Sequence, residues 1–184
     1  MASYHYHHHH LLIIIFLFIS GCNADLLHST CKLTGVHNDL CLQILTANPK
    51  SKTVDDAHGL TSIILKATEK TVISTGEEII RLAERTPAQE DDLLQCIQDC
   101  EEEYEDAVQQ LEQSRLSMDE KEYHEVVMFI EAAMGDVKAC QESCVLVPGH
   151  KNVLTKQNKN VSQMCSIALT LVKMLQAEKE HHQP

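Results

Sequence analysis

The chain carries two cysteine pairs of the same spacing, Cys96 with Cys100 and Cys140 with Cys144, each inside a segment of helical period. Four residues make about one helical turn, so each pair falls on one face of its helix. The two segments are consecutive, joined near Arg115 to Asp119, and are expected to run antiparallel. A step down one helix then equals a step up the other. If Cys100 bridges Cys140, Cys96, one turn earlier, faces Cys144, one turn later. Two stacked bridges would staple these helices together. The rival arrangement is a four-thiolate zinc site, which needs a closed tetrahedron with sulfurs about 2.3 Å from the metal. A redox C-x-x-C is absent, because the spacing here is C-x-x-x-C. Cys31 and Cys41 flank a short N-terminal hairpin and are natural partners. Cys165 is left over as a buried apolar thiol on the last helix.

Disulfides require an oxidising compartment, and the N-terminus points to one. Leu11 to Ile19 reads LLIIIFLFI, an apolar block bounded by Ser20 and Gly21. It is too short to span a bilayer and fits the core of a signal peptide. The residues before it hold no Lys or Arg, which leaves His5 and the run His7 to His10 to supply positive charge. That run reads as low-complexity sequence or an added tag, not as a metal site. Cleavage after Ala24, with Cys22 at −3, makes residues 1–24 the signal peptide and 25–184 one domain; cleavage after Gly21 is the weaker option. Residues 1–24 contain no Asp, Glu, Lys or Arg, so the remainder keeps the formal net charge of −12. Such a charge argues against nucleic acid and anionic membrane surfaces and favours a basic partner. With no Trp and 4% aromatic residues there is little material for stacking platforms.

The periodicity predicts an all-α antiparallel up-and-down four-helix bundle over residues 53–177, preceded by a helical hairpin over 25–50 around His37-Asn38-Asp39. The first long segment opens at Thr53-Val-Asp-Asp and runs to about Arg85, with Gly59 and Gly76 as possible bends. Thr86-Pro87-Ala88-Gln89 reads as a capping box that starts the second. Ser117-Met-Asp-Glu120 reads as another that starts the third, with Tyr123, Val126, Ile130, Val137 and Cys140 on one face. Pro148-Gly149 breaks it. The last segment runs from about Asn152 to Ala177.

The order of these segments resembles the plant invertase and pectin methylesterase inhibitor family, and the pollen-type secreted invertase inhibitors within it most closely. The matching stretches are TCKLTGVHNDLC (Thr30–Cys41), ANPKSKTVDDAHGL (Ala47–Leu60), DCEEEYEDAVQQL (Asp99–Leu111), EYHEVVMFIEAAMGDVKAC (Glu122–Cys140) and LTKQNKNVSQMCSIALTLVKML (Leu154–Leu175). The resemblance implies a four-helix bundle behind an N-terminal hairpin, disulfides Cys31–Cys41 and Cys100–Cys140, and Cys165 as a free thiol. Cys96 and Cys144 depart from the family pattern, and a Cys96–Cys144 bridge accounts for both.

The family holds two activities on one fold, inhibition of invertase and inhibition of pectin methylesterase. In its invertase inhibitors a Pro-Lys-Phe motif at the start of the third bundle helix enters the target's active site. The matching positions here are Lys121, Glu122 and Tyr123. The aromatic is kept in kind, while Lys and Glu stand in place of Pro and Lys. Lys121 offers a basic group to an acidic glycosidase site. The expected function is therefore occlusion of a plant cell-wall or vacuolar acid invertase by Lys121, Glu122 and Tyr123. The alternative is inhibition of pectin methylesterase through the bundle faces, where Asp99, Glu101, Glu102, Glu103, Glu105 and Asp106 would suit a basic enzyme. A run of this kind also serves as a plain solvated helix face. In an acidic apoplast or vacuole, protonation of His124 would tune binding beside Tyr123, and an unchanged pH dependence in His124→Gln would refute that.

No catalytic motif stands out: G-x-S-x-G, the P-loop, H-E-x-x-H and the EF-hand loop are all missing. A di-iron bundle needs two Glu-x-x-His motifs on core helices, and only Glu178-Lys-Glu-His181 occurs, at the very end. No enzyme activity, cofactor, metal, nucleic acid or membrane partner is expected. A secreted signalling or structural bundle is the remaining alternative, and it does not call for a bridged N-terminal hairpin. Asn160-Val161-Ser162 is a glycosylation sequon.

Overall fold

A computed structural model of the chain describes residues 24–145, 147 and 153–182. The expected signal peptide, apart from Ala24, lies outside the described residues, as do the histidine run and Pro148-Gly149. The elements are α1 (24–32), a 3-10 turn (Gly35–His37), α2 (Asn38–Ala47), a second 3-10 turn (Pro49–Lys52), α3 (Ala57–Arg85), α4 (Asp91–Asp119), α5 (Tyr123–Val145) and α6 (Thr155–His181). Among the described residues there is no strand. α3 lies beside α4 and α6, and α5 also lies beside α4 and α6, so the four long helices close into an up-and-down bundle. α2 packs on α3 and α6.

The bundle forms because each long helix presents apolar residues at three- and four-residue spacing. Leu60, Ile64 and Val72 of α3 meet Ile97, Ala107 and Leu111 of α4, Ile130 and Val137 of α5, and Val161, Ile167 and Leu171 of α6 in one core, all at 1% exposure or less. Each fully buried Leu or Ile contributes about 1.5–3 kcal/mol over an exposed one. α3 begins at the N-cap Asp56, whose Oδ1 accepts from the Gly59 amide at 2.7 Å. A side chain at Gly59 would put its Cβ 2.6 Å from Val54 Cγ1, so this glycine admits the strap that leads into the helix. α3 then runs unbroken through both Gly59 and Gly76.

Two helix boundaries differ from those the capping boxes predict. α4 starts at Asp91, not after Thr86. The Thr86 hydroxyl donates backwards to the Leu82 carbonyl at 2.9 Å, and its amide reaches Leu82 and Ala83, so Thr86 ends α3 instead of opening α4. Likewise α4 continues through Ser117 to Asp119, and α5 starts only at Tyr123. Ser117 is buried within α4, and its hydroxyl donates across the link to Glu125 Oε2 at 2.9 Å. At the far end α6 extends past Ala177 to His181.

Three disulfides join Cys31 to Cys41, Cys96 to Cys144 and Cys100 to Cys140, with Cα–Cα separations of 5.5, 5.0 and 4.4 Å. The four helical cysteines are thus bridged and leave no thiolate for zinc. Cys165 is a free, fully buried thiol, and burial pushes its pKa up to about 12. One turn from Cys100, Tyr104 Oη donates to Asn158 Oδ1 at 2.8 Å. The Asn158 amide nitrogen in turn donates to Cys140 Sγ at 3.4 Å and to Gln141 Oε1 at 3.2 Å. Both residues are at most 3% exposed, so this node pairs the polar groups of Tyr104 and Asn158 that the core has taken from water.

Candidate functional site

Antiparallel order places the α4–α5 link at the end of the bundle away from the stacked disulfides, together with the start of α3 and the end of α6. The link is Glu120 to Glu122. Its backbone makes the two bonds that close a helix in a Schellman turn: the Lys121 amide donates to the Met118 carbonyl at 3.1 Å and the Glu122 amide to the Ser117 carbonyl at 2.9 Å. The residue at the left-handed position of this turn is normally glycine. Here it is Lys121, with φ of 60°. A side chain in that conformation costs about 1–2 kcal/mol.

The link is gripped from two other helices. From α3, His58 Nδ1 lies 3.0 Å from Tyr123 Oη, with the donor set by the imidazole tautomer. From α6, Lys179 Nζ donates to the Lys121 carbonyl at 2.9 Å, stands 3.6 Å from Glu122 Oε2 and lies 5.9 Å from the centre of the Tyr123 ring. Tyr123 is only 7% exposed, and burial, then Asp56 and Glu178, raise its pKa. Of the three sequence-predicted contact residues, Lys121 and Glu122 are exposed and Tyr123 is buried beneath them. Tyr123 therefore anchors the link, and the reaching groups on its surface are Lys121 and Glu122. His124 is exposed beside it.

The acidic run lies on α4. Glu101, Glu102, Glu105 and Asp106 are exposed, while Asp99 and Glu103 are half-buried. Asp136 of α5 shares this seam. Burial, followed by the charges of Glu103 and Asp106, raises its carboxyl to about 6, and its Oδ2 is buried without a hydrogen-bond partner. Glu103 is also raised, first by burial and then by Asp106, Glu102 and Asp99. Among the described residues no group of three or more His, Cys, Asp or Glu is placed to hold a metal ion. No helix among them is long and apolar enough to cross a membrane. Asn160 of the sequon is exposed on α6.

His58 and Lys179 are the site residues that sequence reasoning missed. Antiparallel order alone brings the start of α3 and the end of α6 to the α4–α5 link. Nothing in the local sequence marks these two side chains, and the loss of apolar periodicity after Leu175 hides the last turn of α6.

The profile of the family described as plant invertase/pectin methylesterase inhibitor matches residues 25–171. Two curated relatives, each described as "Putative invertase inhibitor", come from Platanus acerifolia and Platanus orientalis. Each is 29% identical over 161 residues, covering 84% of this chain and 88% or 92% of the relative. The fold is similar to two crystal structures of a pectin methylesterase inhibitor from Arabidopsis, one a mutant form, with TM-scores of 0.65 and 0.60 at 19% and 18% identity. These cover 78% and 81% of this chain and 93% and 95% of theirs. A bridged hairpin ahead of a four-helix bundle, matched by the family profile over residues 25–171, places this chain in the plant invertase/pectin methylesterase inhibitor family.

Proposed function

We propose that the chain is a secreted inhibitor of a plant acid invertase, and that the α4–α5 link enters the enzyme's active-site cleft. Members of this family inhibit enzymes and are not enzymes themselves; the chain is an inhibitor of invertase or pectin methylesterase. The observation that carries the choice of site is Lys121. A left-handed turn favours glycine, yet a charged side chain is held there at the tip of the bundle. Strain retained at an exposed, anchored position is a mark of function. The ammonium of Lys121 suits a cleft built around two carboxylates. Glu122 flanks it, and Tyr123 with His58 fixes the base of the link so that little order has to be imposed on binding.

Leu11 to Ile19 and the three disulfides support passage through the secretory pathway to the cell wall or vacuole. The exposed Asn160 is open to glycosylation there, and a mass shift on glycosidase treatment would show it.

A second reading rests on the acidic face. Glu101, Glu102, Glu105 and Asp106 form a solvent-facing strip that would speed association with a basic pectin methylesterase. A paired titration separates the readings. Oxidised protein is added at pH about 5 to an invertase and, separately, to a pectin methylesterase. Loss of sucrose hydrolysis at near-stoichiometric protein, with the esterase untouched, is expected. Loss of esterase activity alone would move the site to the helix faces.

A further inference from the structure

We propose that Lys179, from the last turn of α6, is the positioning residue of the inhibitory link, an inference that rests on the invertase reading above. One ammonium reaches three consecutive residues, the last two of the link and the first of α5: the Lys121 carbonyl at 2.9 Å, the Glu122 carboxylate at 3.6 Å and the face of the Tyr123 ring at 5.9 Å. The link is short and its central residue sits in a disfavoured backbone region. Its own Schellman bonds fix the exit from α4 and, through the planar Lys121–Glu122 peptide, the direction of the Lys121 carbonyl, but they do not fix where the Glu122 carboxylate lies. Lys179 satisfies that carbonyl and holds that carboxylate. It pairs with the Glu122 carboxylate, so that Lys121 is the cation the link presents to a partner, with Glu120 exposed beside it.

The base of this clamp is itself held. His182 Nδ1 lies 2.8 Å from the Glu178 carbonyl, and Gln176 donates to Glu180 at 3.0 Å, so the final turn of α6 is closed and not frayed. Beneath the clamp, His58 holds the Tyr123 hydroxyl from α3. The side chain of Lys179 is about 40% exposed, so its removal leaves no buried group unpaired and folding should be nearly indifferent to it. Binding should not be indifferent. A link that is free in solution loses its freedom on entering a cleft, and a link already fixed does not. The expected signature is weaker inhibition at unchanged stability.

The test uses the full oxidised chain with Lys179→Met, which keeps the stem and removes the charge, Lys179→Arg, which keeps the charge and donors, and Lys121→Ala as the contact control. Amide hydrogen exchange is followed at Lys121, Glu122 and Tyr123, and inhibition of invertase is measured in parallel. Lys179→Met should speed exchange at these amides, leave exchange in the bundle core and the Tm unchanged, and weaken inhibition about tenfold. Lys179→Arg should recover most of both. If Lys121→Ala weakens inhibition while Lys179→Met alters neither exchange nor inhibition, the positioning role is overturned and the contact reading stands. If neither Lys121→Ala nor Lys179→Met changes inhibition, the contact reading fails and the positioning role falls with it. If Lys179→Met instead lowers the Tm along with inhibition and Lys179→Arg does not restore them, Lys179 is a general brace and the proposal is overturned.

Discussion

At one end of the bundle, Cys96–Cys144 and Cys100–Cys140 fasten α4 to α5 through sulfur, with Tyr104 and Asn158 buried beside them. At the other end the same two helices meet through three residues held by an ammonium and one tyrosine–histidine contact. The stapled end has its polar groups paired inside a dry core, where a lost partner is costly. The link end has most of its polar groups at or near the surface, where water can replace them, with Tyr123 and Ser117 tucked beneath. Stability is thus concentrated away from the element proposed to bind. Binding residues can then depart from the backbone rules, as Lys121 does, without threatening the fold.

The largest expected effect comes from breaking the contrast at its covalent end. Replacing Cys96, Cys100, Cys140 and Cys144 together by Ala removes both stacked bridges and opens a loop that spans a separation of 40 residues, and the chain-entropy relation puts the loss at about 3–4 kcal/mol. Urea unfolding would measure it. Opening either bridge alone should cost less, because the other keeps nearly the same loop closed. In none of these variants should inhibition of the target change while the protein remains folded.

A matched deletion of one hydroxyl at each end sharpens the comparison. Tyr104→Phe leaves Asn158 Oδ1 without its donor in a buried site and should cost about 1–3 kcal/mol. Tyr123→Phe removes the partner of the half-buried His58 and should cost about 0.5–1.5 kcal/mol, together with a loss of inhibition that Tyr104→Phe does not show. Equal costs, or inhibition lost in both, would break the division between the two ends.

The acidic seam between the ends gives a smaller, pH-dependent effect. The carboxyl of Asp136 titrates at about 6 in the fold, above the ordinary value of about 3.9. The folded state therefore holds this proton more tightly than the unfolded chain. That contribution is complete below about pH 4 and is lost as the pH rises through about 6. Asp136→Asn should raise stability at pH 7 by about 1 kcal/mol, allowing for solvent screening, and leave it unchanged at pH 4. Urea midpoints at the two pH values would show it. The smallest effect is expected at the exposed ion pair of Lys173 with Glu131, where Lys173→Met should cost less than about 0.5 kcal/mol.

The bundle was legible in the sequence because its apolar spacing is local and strong, and because the matched cysteine pairs encode antiparallel register over some 40 residues. Helix ends were less legible. Thr86 and Ser117 carry the right chemistry for N-caps, but tertiary packing gave them other partners, the Leu82 carbonyl and Glu125. The true end of α4 is closed by a left-handed lysine, and the usual glycine signal is missing there. Lys121, Glu122 and Tyr123 could be named from a family motif, and the place of Tyr123 on one face with Val126 and Ile130 foretold its burial. Lys179 lies 58 residues from the carbonyl it holds, and such a contact has no local trace.

The most direct test of the link as the inhibitory element is a hydrogen-exchange footprint of the complex with invertase at pH about 5. New protection confined to residues 120–124 and the end of α6, with the acidic face over 99–106 unchanged, is the expected result. Protection along 99–106 with the link exchanging as in the free protein would contradict the account and assign binding to the bundle face.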